Sequence, residues 1–198
     1  MSIRPIYLFG TNVLKETASP VDSLDDSTVK LIYDMFETMR EANGLGLAAT
    51  QVGDLRRVIT IDISDVSEPS AEGETEEPSH PTSPGLPRTL ALINPEVLGE
   101  EGTWTMEEGC LSLPHLRSEV ERADKIRIRY RDAGFKEQEI LADGLLARVI
   151  LHELDHLNGV LFIDRISKAK RSLLLPKLRK MRKGEVEVDY PVVTAQEE

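Results

Sequence analysis

The run from Gly144 to Asn158 constrains this chain more than any other segment, because it reads as a helix whose apolar stripe contains two histidines. Leu145, Val149, His152 and His156 fall at i, i+4, i+7 and i+11, so the two imidazoles continue the face that should point into the protein. Gly159 follows where such a helix should end. A buried pair of imidazoles needs a partner. On a helix, two histidines one turn apart can hold a single metal ion, and His152-Glu153-Leu154-Asp155-His156 has the H-E-x-x-H spacing that does so, with Glu153 beside the metal. The alternative, a solvated helix face, does not suit a stripe that is otherwise apolar. The rest of the chain is therefore expected to wrap around this helix.

Two histidines leave a catalytic metal one protein ligand short, and no third histidine or glutamate closely follows His156. Cys110 is the best remaining candidate, in Glu108-Gly109-Cys110-Leu111-Ser112, on a segment expected to be irregular between strands. Taken alone it could equally be a small core residue. It is the only cysteine, so an intrachain disulfide is excluded, which fits a reducing cytoplasm. A third feature is Gly44-Leu45-Gly46-Leu47-Ala48-Ala49-Thr50-Gln51-Val52-Gly53. Glycines at alternate positions permit close backbone approach, as at the wall of a cleft, and Gln51 can donate a side-chain N–H. The segment lacks the spacing of a phosphate-binding loop.

Strands fill the middle of the chain and helices its ends. Ser23 to Ala42 carries Val29, Ile32, Tyr33, Phe36 and Met39 at helical spacing, with Gly44 to stop it. Arg57 to Ile63 and Thr89 to Ile93 read as strands, and Lys125 to Tyr130 turns through Asp132, Ala133 and Gly134 into a hairpin with Glu137 to Leu141. Asp65 to Arg88 holds five of the eleven prolines and six acids. It cannot bury enough surface to offset its ordering entropy and should be a flexible insertion loop, so deleting Glu68 to Pro84 should barely affect turnover. Lys168 to Lys183 is basic and helical, with Pro176 as a possible kink. Without regular strand-helix alternation the class is α+β. A length of 198 residues suits one domain: antiparallel strands around a central metal-binding helix over 1–167, then a basic C-terminal helix and tail over 168–198. The chain has no apolar run long enough for a signal peptide or a membrane span, so a cytoplasmic protein without membrane contact is expected. The net charge of -11 argues against wholesale coating of nucleic acid.

The three segments GLGLAATQVG, EGCLS and HELDH, in this order, resemble the signature motifs of the peptide deformylase family. The resemblance reaches to about Ser167, with 65–88 departing from the usual pattern as an insertion. It implies a metal held by Cys110, His152 and His156. Glu153 would then act as general base and acid, and the Leu111 N–H and Gln51 amide would stabilise the oxyanion during removal of formyl groups from the N-formylmethionyl ends of nascent peptides. Fe(II) is the ion the resemblance implies; the ligand set alone suits zinc, nickel or cobalt equally. Leu45, Gly46, Leu145 and Val149 would line a pocket for the methionine side chain. Arg148 would pack its stem there while its charge reached water. For 168–183 the resemblance implies docking on the ribosome through rRNA phosphates, and truncation after Ser167 would spare turnover of short peptides. Two other readings stand beside this one. A zinc endopeptidase would use the same HELDH machinery, but Cys110 speaks against it. A catalytically silent ribosome-binding module would keep the metal as a staple, but the intact Glu153 weakens it.

Overall fold

The computed structural model describes residues 2–66 and 85–197. Most of the segment expected to loop at 65–88, including Glu68 to Pro84, lies outside the described residues. In chain order the elements are β1 (Ile6–Tyr7), α1 (Asp26–Glu41), β2 (Gly46–Ala48), β3 (Val58–Asp62), β4 (Thr89–Glu101), β5 (Trp104–Cys110), β6 (Leu113–Arg122), β7 (Lys125–Arg131), β8 (Glu137–Asp143), α2 (Gly144–Leu157), α3 (Phe162–Arg165), α4 (Lys168–Arg182) and β9 (Val192–Val193). The class is α+β, and among the described residues all but one of the strand pairings are antiparallel.

A five-stranded sheet of order β2-β3-β4-β7-β8 forms the frame. Its strand β3 is apolar on both faces because both faces are covered. Along β3, Ile59 and Ile61 pack with α2 residues Leu146, Ile150 and Leu154, while Val58 packs with Leu31, Met35 and Met39 of α1. This is the two-residue period of a strand divided between two helices. Full burial of a Leu or Ile side chain stabilises by roughly 1.5–3 kcal/mol, so the inner face of α2 anchors the helix firmly. Asp25 caps α1 by accepting the Thr28 N–H at 2.7 Å. After α2, Gly159 adopts φ 70°, and a Cβ there would come within 2.5 Å of the Lys15 carbonyl oxygen. Only glycine fits that stop.

β5 and β6 form a separate hairpin that carries α3 and α4 on one side. Leu178 and Met181 of α4 are buried with Leu8, Phe162 and Leu116, and β9 pairs in parallel with β1. No seam therefore follows Ser167. Truncation there would strip the cover from this third core cluster. Pro176 lies within α4, and the helix continues through it.

Candidate metal centre

The second half of α2 turns its inner face towards the tip of the β5–β6 hairpin. Cys110 is the last residue of β5, not part of an irregular stretch. It pairs with Leu113, so Leu111 and Ser112 form a tight turn. Cys110 Sγ lies 3.1 Å from His156 Nε2, and the Cys110, His152 and His156 donor atoms all fall within 4.8 Å of one another. One thiol and two imidazoles at this separation suit a transition metal. Burial lowers His156 well below its ordinary value, which favours the neutral, ligating form.

Two further observations agree with a metal here. Glu153 Oε2 and His156 Nδ1 are buried without a hydrogen-bond partner among the described residues, whereas buried polar atoms are normally satisfied. Burial also raises the Glu153 carboxyl to about 7, against the opposing charges of His152 and Arg122. The glycine-rich segment makes room for this carboxylate. A Cβ on Gly46 would come within 2.5 Å of Glu153 Oε1, and one on Gly44 within 2.7 Å of Leu111 Cδ1. Gln51 is buried, its Oε1 accepting the Ala48 N–H at 2.8 Å. Its Nε2 is thereby turned to Ser112 Oγ, at 3.2 Å, and to Cys110 Sγ, at 3.6 Å.

A cleft of about 830 Å³ opens over these groups, lined by Leu45, Gly46, Gln51, Leu111, Leu145, Val149 and Glu153 among others. Arg148 also lines it, but the expectation that its charge reaches water is wrong. The guanidinium is buried: it donates to Glu108 Oε1 at 2.5 Å and to the Trp104 carbonyl, and it stacks over the Trp104 ring.

Glu108 is the residue that sequence reasoning missed. His152 Nδ1 meets its Oε2 at 2.9 Å, leaving Nε2 to face Cys110, the usual way a carboxylate orients a ligating histidine. Arg122 grips Glu108 with two bonds of 2.6 and 2.9 Å and reaches Asp155 at 2.8 Å, which Arg165 also holds. Burial works against charge on Glu108, but the bonds from His152 and Arg122 win and keep its carboxyl well below the usual range. Phe162 stacks 6.5 Å from the other side of His152. Glu108→Ala is therefore expected to leave Arg122 and Arg148 undercompensated, costing about 3 kcal/mol or more of stability, and to weaken metal binding roughly 10–100-fold. A denaturant titration and a metal titration check this; unchanged values in both would remove Glu108 from the site.

A profile of the polypeptide deformylase family matches residues 3–172. The chain is 45% identical over 197 residues to a peptide deformylase of Salinibacter ruber, covering 99% of this chain and 97% of that one. It also resembles the crystal structure of a peptide deformylase from Legionella pneumophila, with 37% identity, a TM-score of 0.76, and coverage of 93% of this chain and 98% of that one. A peptide deformylase from Ehrlichia chaffeensis in complex with actinonin matches at 34% identity and a TM-score of 0.76, covering 91% of this chain and 98% of the other.

Proposed function

This chain belongs to the polypeptide deformylase family, and from that premise we propose that Cys110, His152 and His156 hold its catalytic metal while Glu153 moves the proton as the formyl group is removed from N-formylmethionyl peptides. Membership of that family also disfavours the endopeptidase reading. The observation that carries the assignment is the convergence of the three donors beside a buried carboxylate with an unpartnered oxygen.

When bound, such an ion supplies Lewis acidity that brings the pKa of water towards neutrality. Glu153, raised by burial, is suited to take a proton from that water and deliver it to the departing amine nitrogen. As the formyl oxygen gains charge, the Leu111 N–H and the Gln51 amide are the chain's donors to it, and losing one such donor typically costs on the order of a hundredfold in rate. Leu45, Gly46, Leu145 and Val149 supply the apolar wall for the methionine side chain. Arg148 binds Glu108 from beneath this wall, which commits its guanidinium to that carboxylate. Iron(II) is the resident ion we assign. Formate release from formylated methionyl peptides, with metal content measured after anaerobic preparation, tests the whole reading; cleavage of internal peptide bonds without formate release would overturn it.

Among the described residues no helix is long and apolar enough to cross a membrane. The basic residues of 168–183 divide into two groups. Lys170 and Arg171 pair with Glu119 and Asp164 and Arg182 lies over the Phe9 ring, while Lys168, Lys177, Arg179, Lys180 and Lys183 are exposed and form no ion pair among the described residues. We assign this second group to rRNA phosphates. Changing Lys177, Lys180 and Lys183 to glutamate should abolish salt-dependent co-sedimentation with ribosomes and leave short-peptide turnover within about twofold, since the substitutions only alter exposed charge. Unchanged co-sedimentation would refute the docking role.

A further inference from the structure

The C-terminal segment reaches back into the site from outside the three motif segments. The Tyr190 hydroxyl donates to the Leu111 carbonyl oxygen at 2.8 Å, and its half-buried ring packs against the α1 core cluster, as Leu111 does. This segment is firmly attached. The Ile6 N–H donates to the Pro191 carbonyl at 2.8 Å, the Leu8 N–H donates to the Val193 carbonyl at 2.9 Å, and His115 Nε2 meets the Glu187 carbonyl at 2.9 Å. Residues 187–190 thereby form one wall of the cleft that contains Gln51, His152 and Glu153.

The turn after Cys110 is consequently tied at three points. Tyr190 holds the Leu111 carbonyl, the Phe9 N–H holds the Ser112 carbonyl at 2.9 Å, and the Gln51 amide holds the Ser112 hydroxyl at 3.2 Å. Cys110 pairs across the hairpin with Leu113, so the Leu111 N–H lies outside the ladder. Its direction depends on how the turn is held. Of the three ties, only Tyr190 acts on Leu111 itself.

We propose that Tyr190 is a positioning residue for deformylation, its hydroxyl fixing the Leu111 carbonyl so that the Leu111 N–H stays aimed at the formyl oxygen as charge develops there. The proposal rests on the deformylase reading of the site. Burial, with the Cys110 charge adding to it, raises the Tyr190 hydroxyl to about 12, so it remains a donor across the working range. A misaimed donor costs less than a deleted one but acts on the same step, because stabilisation of a developing charge depends on pre-set geometry.

Tyr190→Phe keeps the ring and removes only the donor. It should lower kcat about tenfold with KM, metal content and melting temperature close to wild type. Tyr190→Leu, which also removes ring packing, should lower the melting temperature as well without a much larger fall in kcat. An unchanged kcat in the Phe variant would overturn the proposal. So would a Phe variant that loses stability or raises KM in place of kcat, since Tyr190 would then be a packing peg. Formate release by the wild-type protein is measured first, and its absence would sink the deformylase reading separately.

Discussion

Glu153→Ala is expected to retain the metal and lose formate release by about three orders of magnitude, the middle of the range for removing a general acid-base group. The structure makes this substitution clean. No described side chain bonds to Glu153 Oε2, so alanine leaves no partner stranded, and it relieves the burial that raises the carboxyl. Stability should be equal to or above wild type. The neighbouring proposed ligands His152 and His156 are held from elsewhere, by Glu108 and by the packing of α2. Activity and metal content should therefore separate. A metal-loaded alanine variant with near-normal formate release would dismiss Glu153 from proton transfer.

Cys110→Ser should lose metal and activity together. A serine hydroxyl fits the space and keeps the β5–β6 pairing, but it does not ionise near neutrality and is a harder, weaker ligand for a late transition metal than a thiolate. The affinity loss should exceed about tenfold, with turnover falling in proportion to occupancy and the circular dichroism unchanged. A serine variant that is fully loaded and fully active would take Cys110 out of the ligand set.

The contrast between these residues and the supporting ones explains what the sequence made legible. His152 and His156 were readable because helical periodicity fixes which way a residue faces, and Gly44 and Gly46 because only glycine lets backbone approach a neighbouring side chain so closely. Glu108, Arg122 and Asp155 were hidden because a charged residue in a strand or on a helix reads as solvent-facing until its partner is known. Their pairing crosses from β5 to β6 to α2 and is purely tertiary. One signal was available: Arg148 lies four residues before His152 on an inward stripe, and a cation there requires a buried anion. The β5–β6 hairpin was obscured for the same reason, since Glu107-Glu108-Gly109 breaks the alternation that marks a strand. β1 and β9 have two residues each, too few for any period to appear.

The pairing of Ile6 with Val192 and Tyr7 with Val193 also governs when this molecule becomes complete. β1 has no partner until Val192 and Val193 have left the ribosome, and contacts so distant in sequence form late because the intervening chain must first be ordered. The five-stranded sheet and α2 can assemble beforehand. The wall at 187–190 and the tie from Tyr190 to the Cys110 turn cannot. During its own synthesis the protein should therefore pass through a stage in which every proposed metal ligand is present and folded while the cleft still lacks one side.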